Sequence, residues 1–202
     1  MVEGLRGTTS SISWERNLIV IISHISNLSR GHMNIYATDT DPVTSAQNLD
    51  DKRLIKGITD VAVLLSTALR MLDCPSPKIY LAEHMTHPWT VWATKSRGNF
   101  QWLVFHGLAM NEEMKFRFPD IKPKVRSTTV ILDCSELFTC TCKNDIAGMT
   151  PFPNCTNLSG NIGVVKLYRQ FMSQTKWGFQ TRWTNRGMPD WHKDTLPKKE
   201  VA

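Results

Sequence analysis

The chain has 202 residues, 41% of them hydrophobic, and a formal net charge of +6. That length fits one domain with a real core, the composition excludes a disordered chain, and no apolar run approaches the roughly 20 residues that a membrane span needs. The positive charge favours a polyanionic partner, most commonly nucleic acid, with a merely soluble basic protein as the alternative.

Residues 1–32 read as an N-terminal extension. Gly7 to Ser11 is loop-like, and Ser23 to Gly31 is rich in Ser, Asn and His. Only Leu18–Ile22 has the composition of regular structure, and it lacks the small-residue cleavage pattern of a signal peptide. Met33 reads as an internal start with the leader arising from upstream reading; a genuine amphipathic arm is the alternative.

Met33–Ala37 opens an apolar segment that ends in the turn-forming run Asp39-Thr40-Asp41-Pro42. A long helix is predicted from about Thr44 to Leu72, with Thr44 or Ser45 as its N-cap. Leu49, Leu54, Ile58, Val61, Leu65 and Leu69 form its apolar stripe. Gly57 costs that helix roughly 1 kcal/mol relative to Ala, and a bend is expected there. Pro75 and Pro77 end it. A second helix begins after His87-Pro88, with Trp89, Trp92 and Ala93 on its apolar face. Gly98 or Asn99 breaks it before a further helix through Trp102, Phe105, Leu108, Met114 and Phe116. Residues 119–127 read as loop, Val130-Ile131-Leu132 as a short extended piece, and 133–161 as irregular. The last helix is predicted from about Val164 to Trp183, and the charged tail 193–202 frays. The expected fold is therefore all-α: one compact helical domain over residues 33–192, with irregular loops and at most a short extended segment.

The five cysteines are odd in number and unevenly spaced, which argues against a disulfide framework and for an intracellular, reducing setting. Cys134, Cys140, Cys142 and Cys155 could supply four thiolates to zinc, but Cys140-Thr141-Cys142 is not a zinc-knuckle spacing; free thiols are the alternative, and no metal is expected. His84 and His87 read as capping or packing residues. There is no Gly-rich phosphate loop and no serine-nucleophile elbow, which removes the usual supports of hydrolase and nucleotide-triphosphatase readings. The seven tryptophans could stack on bases, although most are expected in the core.

Two acids on the long helix have different prospects. Asp51 and Asp60 are nine residues apart, a rotation of about 900°, so they face opposite ways and cannot form one paired-carboxylate site. Asp60 sits among Ile58, Val61 and Leu64, so partial burial is expected, with its proton affinity set by desolvation against nearby cations. A surface acid or salt-bridge partner is the alternative.

From Met33 onward the chain resembles a family of small viral and phage proteins. The matching pieces include Met33-Asn34-Ile35-Tyr36, Asp51-Lys52-Arg53 with Lys56, Leu64-Leu65-Ser66-Thr67-Ala68, Thr86-His87-Pro88 and Thr90-Val91-Trp92-Ala93. They continue through Asn99-Phe100-Gln101-Trp102-Leu103, Glu113 with Arg117, Phe152-Pro153-Asn154-Cys155, Tyr168-Arg169, Lys176, Trp183 and Pro189-Asp190-Trp191. The first third resembles the pyrimidine-dimer DNA glycosylases of the endonuclease V type, which are small all-helical proteins.

That resemblance implies base excision through an imine. An α-amine at Asn34, or at Met33 where Met33 is retained, attacks the sugar C1′ of a damaged pyrimidine nucleotide. Asp60 is the catalytic carboxylate, and β-elimination at the resulting abasic site can nick the strand. The resemblance assigns contacts with double-stranded DNA to Asp51, Lys52, Arg53, Lys56, His87, Trp92, Asn99, Trp102, Arg117, Arg169, Lys176 and Arg186. No cofactor and no membrane are expected, and the protein is expected to be a monomer, in the cytoplasm of an infected host if viral. Two positions depart from the family pattern: Asp60 stands where a Glu is expected and Arg53 where a His is expected. A catalytically inactive nucleic-acid-binding protein on the same scaffold is the alternative, and a host-interaction protein indifferent to DNA is a third.

Overall fold

The computed structural model describes residues 33–122, 124–141, 147–174 and 181–193, and every regular element among them is a helix. The chain divides into two units, Met1–Met33 and Asn34–Ala202, and each of those helices lies in the second. The expectations for the leader 1–32, for Lys176 and for the tail beyond 193 lie outside the described residues.

The predicted long helix is two helices. Helix α1 spans Pro42–Gln47 and is capped by Asp41, whose carboxylate accepts from the Thr44 N–H at 2.7 Å. The chain then leaves helical geometry, and Asp50, in an extended conformation, caps α2 (Asp51–Met71) by accepting from the Lys52 and Arg53 amides at 3.1 and 3.2 Å. Asp41 and Asp50, not Thr44 or Ser45, are thus the caps. Each satisfies amide donors that the first helical turn leaves without an intrahelical partner, typically worth ~1 kcal/mol. Helix α2 runs unbroken through Gly57. The missing side chain serves packing there, because a Cβ would lie 2.7 Å from the Met110 sulfur.

Helix α3 (Pro88–Lys95) starts where predicted, with His87 as its N-cap and proline in its first turn. The break before α4 (Arg97–Arg117) falls at Ser96, whose hydroxyl accepts from the Asn99 amide at 3.1 Å. The largest departure from expectation is α5, which spans Val125–Thr141. It absorbs the end of the predicted loop, the supposed extended piece Val130-Ile131-Leu132 and the first residues of the supposed irregular region. Its β-branched residues weaken helix propensity. However, Val130, Ile131, Cys134 and Phe138 are buried at helical spacing, so tertiary packing overrides the local preference.

Helix α6 spans Val164–Ser173 and is followed by a C-cap at Gln174. Residues 181–183 are not helical, so the predicted extension to Trp183 does not hold at that end. Trp183 instead turns inward, and its indole N–H donates to the Asn48 carbonyl at 3.1 Å. A short helix α7 (Asp190–Lys193) follows.

Helix α2 is the centre of the core and packs against α3, α4 and α5. Close approach of α4 depends on Gly107, where a Cβ would sit 2.7 Å from Val61 Cγ1 and 2.8 Å from Ile131 Cδ1. Beside this lies an aromatic cluster: Trp89 against Trp92 and Trp102, with Phe152 and Tyr168 closing it. The Trp89 indole donates to the Tyr168 hydroxyl at 3.2 Å, and that hydroxyl donates to the Pro153 carbonyl at 3.0 Å.

Gly107→Ala forces Val61 and Ile131 apart in a fully packed crossing, and a stability loss of ~1–3 kcal/mol is expected in urea unfolding. Gly57→Ala meets only the thioether end of Met110 and gains helix propensity of roughly 1 kcal/mol, so its net change is expected to be much smaller. Equal losses for the two variants would contradict this difference in packing.

Candidate functional site

The site begins with the segment that precedes α1. Ile35 and Ala37 are buried and anchor it in the core. Tyr36 stacks on Phe171 at 6.1 Å and meets Tyr168 edge-on, while Arg169 reaches from α6 to donate to the Thr38 carbonyl at 2.7 Å and to Asp39 at 2.9 Å. Asn34 donates through its side-chain amide to the Cys155 carbonyl at 3.4 Å. Its backbone amide acts on the Asp60 carboxylate and pulls that carboxylate's pKa down.

Asp60 is 8% exposed. Lys56, one turn earlier on α2, donates to its carboxylate, and the charge of Lys124 acts on it from the start of α5. Burial raises the Asp60 pKa above its ordinary value, while Lys56, Lys124 and the Asn34 amide pull it back without cancelling the rise. Lys124 donates to Thr59 at 3.2 Å, and the Thr59 and Ser127 hydroxyls lie 3.3 Å apart. The Tyr80 hydroxyl lies 3.3 Å from that of Ser127, and the Arg126 guanidinium sits over the Tyr80 ring. The result is a buried carboxylate paired with Lys56 and acted on by Lys124, whose own partner Thr59 opens a chain of hydroxyls through Ser127 to Tyr80.

Arg53 lies next to this group. It pairs with Asp50 and sits over the Tyr36 ring at 5.1 Å. The Tyr36 hydroxyl is held above its ordinary pKa by burial, against the pull of Arg53. Arg53 therefore fixes the segment that carries Asn34, while Lys56 and Asp60 belong to the carboxylate group itself.

The remaining predicted residues are placed elsewhere. Asp51 faces away from Asp60, as the helical rotation requires, and enters a second network. It accepts from Arg117 at 3.0 Å and from the amide and hydroxyl of Thr184, the latter at 2.7 Å. Arg117 is 1% exposed and spends its donors on Glu113, Asp51 and the carbonyls of Leu49 and Gln47. Arg186 chelates Glu113 and covers the Phe116 ring at 4.8 Å. Trp92, Asn99 and Trp102 are buried. Asn99 ties Trp92 to Thr150, and the Trp102 indole donates to the Thr40 carbonyl at 2.7 Å. His87 accepts from the Trp89 amide at 3.2 Å as the cap of α3. Lys52, in the first turn of α2, has its pKa lowered by partial burial. Arg169 pairs with Asp39 and lies 6.0 Å from the Trp191 ring.

Cys134 is buried against Ser66, and burial pushes its thiol up to about 12. Cys155 lies by the Tyr168 hydroxyl. The other two members of the proposed zinc set, the Cys140 side chain and Cys142, lie outside the described residues. Among the described residues no helix is long and apolar enough to cross a membrane.

Sequence reasoning missed Lys124, Thr59, Ser127 and Tyr80. Lys124 is one of 24 basic residues and lies in a stretch that reads as loop, so nothing in its spacing points toward Asp60. Compared with known proteins, the chain matches no family model, no curated protein and no solved structure.

Two expectations arise from buried charge. His106 is fully enclosed and shares a hydrogen bond with the Pro42 carbonyl at 3.0 Å; burial pushes its pKa down to about 4 against that bond. The native state therefore refuses a proton that the unfolded chain accepts between pH 6.5 and 4, and stability is lost as pH falls through that window, by about 3 kcal/mol in all. Urea unfolding of the wild type and of His106→Gln between about pH 7 and 4.5 should show the steeper decline in the wild type; parallel curves would refute it. In the second network, Arg117→Ala removes the fully buried cation that Glu113 and Asp51 share, leaving them only Arg186 and Thr184, and should cost about 3 kcal/mol in the same assay.

Proposed function

We propose that this is a DNA-binding base-excision protein, a glycosylase with abasic-site lyase activity on damaged or modified pyrimidines in double-stranded DNA. The observation that carries the reading is the approach of the Asn34 backbone amide to the buried Asp60 carboxylate, on which it acts electrostatically. An α-amine at or next to that nitrogen would stand beside a buried carboxylate. Lys56, Lys124 and Arg53 provide the positive field that a phosphate backbone seeks.

The chemistry divides among these groups. A neutral amine adds to C1′ of the damaged nucleotide as the base departs, and the sugar ring opens to an imine. An α-amine, with a pKa near 8, is neutral in a useful fraction at physiological pH. Asp60 stabilises the positive charge that develops on the sugar and accepts or returns the proton. Loss of a C2′ proton from the imine then expels the 3′ phosphate.

A second reading, that the scaffold binds nucleic acid without acting on it, is favoured by two features. In the 202-residue chain the Asn34 nitrogen is an amide, which is not nucleophilic, and Asp60 is one methylene shorter than the expected Glu.

The residues that hold the site belong to the unit beginning at Asn34, so a chain starting at Met33 retains them. That chain, incubated with abasic-site duplex and borohydride, should give a covalent adduct. Asp60→Asn should lower the yield by on the order of a hundredfold while leaving salt-sensitive DNA binding intact. No adduct, under conditions that trap an authentic lyase, would falsify the enzymatic reading. Binding without any adduct would select the second reading.

A further inference from the structure

We propose that Lys124 is an imine-forming amine of this site, condensing with the aldehyde of an abasic deoxyribose when the Asn34 nitrogen is tied up in its peptide bond. The proposal rests on the reading of the site as one that acts on damaged DNA. It addresses the full chain, in which an α-amine at Asn34 does not exist.

The geometry separates the two lysines. Lys56 is locked to the Asp60 carboxylate on the same helix. Lys124 arrives from a different element and donates to a neutral hydroxyl, Thr59, at 3.2 Å, one residue from Asp60 in sequence. Its backbone is fixed, because its carbonyl accepts from the Thr128 amide in the first turn of α5 at 3.0 Å. The groups that bear on its charge come from α2 and α5. Burial lowers its pKa, Asp60 opposes that and Lys56 reinforces it, while Arg126 is directed over Tyr80. A lysine partly removed from water beside another cation is the arrangement that leaves an amine neutral enough to attack a carbonyl.

The step balances without an added oxidant or reductant. Neutral Nζ, its proton released to water, adds to the C1′ aldehyde carbon of the ring-opened sugar. The resulting carbinolamine loses its hydroxyl as water, with a proton from the Asp60 carboxyl, and a cationic imine remains. The Asp60 carboxylate then removes a C2′ proton. The electron pair of that C–H bond forms the C2′–C3′ double bond as the C3′–O bond breaks and the phosphate departs. Water hydrolyses the imine, which regenerates Nζ and releases an unsaturated aldehyde.

The test uses the full 202-residue chain with abasic-site duplex and cyanoborohydride, followed by proteolysis and mass mapping of the modified amine. The expected result is an adduct on Lys124. Lys124→Arg, which keeps the charge and removes the nucleophile, should lower the yield at least about tenfold with DNA affinity unchanged. An adduct mapped to another amine overturns Lys124 and leaves the site's function intact. A full chain that traps nothing also overturns Lys124, and the function of the site then depends on the shorter chain beginning at Met33. Because mapping is done on the wild-type protein, a variant that fails to fold does not obscure the result.

Discussion

Helix α2 is buried round most of its circumference, so each charge it carries must be partnered or reach solvent. An unpaired buried charge costs several kcal/mol, which few small domains can tolerate. Much of the structure depends on how that demand is met. At its start, Asp51 is met by Arg117 and by Thr184 from a distant part of the chain. Nine residues on and on the other side, Asp60 is met by Lys56, by the influence of Lys124 and by the Asn34 amide.

The two arrangements differ in kind. The Asp51 network is closed. Arg117 reaches two carbonyls and two carboxylates, and Arg186 completes Glu113. Such a network ties α1, α2 and α4 to the segment after α6 and fixes their mutual register. The Asp60 group is less complete. Its carboxylate remains above its ordinary pKa despite two lysines, and the Thr59, Ser127 and Tyr80 hydroxyls form a chain that reaches it only through Lys124. A carboxylate left in that condition is less well stabilised than Asp51, which takes two hydrogen bonds from Thr184 and one from Arg117.

The segment 34–38 connects the two ends of the domain. It lies between α2 and α6, held by Arg169 and Tyr168 on one side and by Arg53 on the other. The amide of Asn34 is thereby placed at Asp60 through contacts with residues more than a hundred positions away. The Tyr168-Arg169 pair of α6 positions that segment.

The sequence alone determined that the protein is helical, that α2 and α4 exist, that Asp51 and Asp60 face apart and that Asp60 is partly buried. These depend on periodicity, which is local: a helix repeats every 3.6 residues whatever it packs against. Only the tertiary structure decided that Val130-Ile131-Leu132 is helical, because burial against α2 and α4 outweighs a weak β preference. Tertiary structure also decided that Arg117 is enclosed and that Lys124 and the Asn34 amide stand at Asp60. Those facts depend on which distant segments fill the space beside α2, and spacing along the chain carries no record of that.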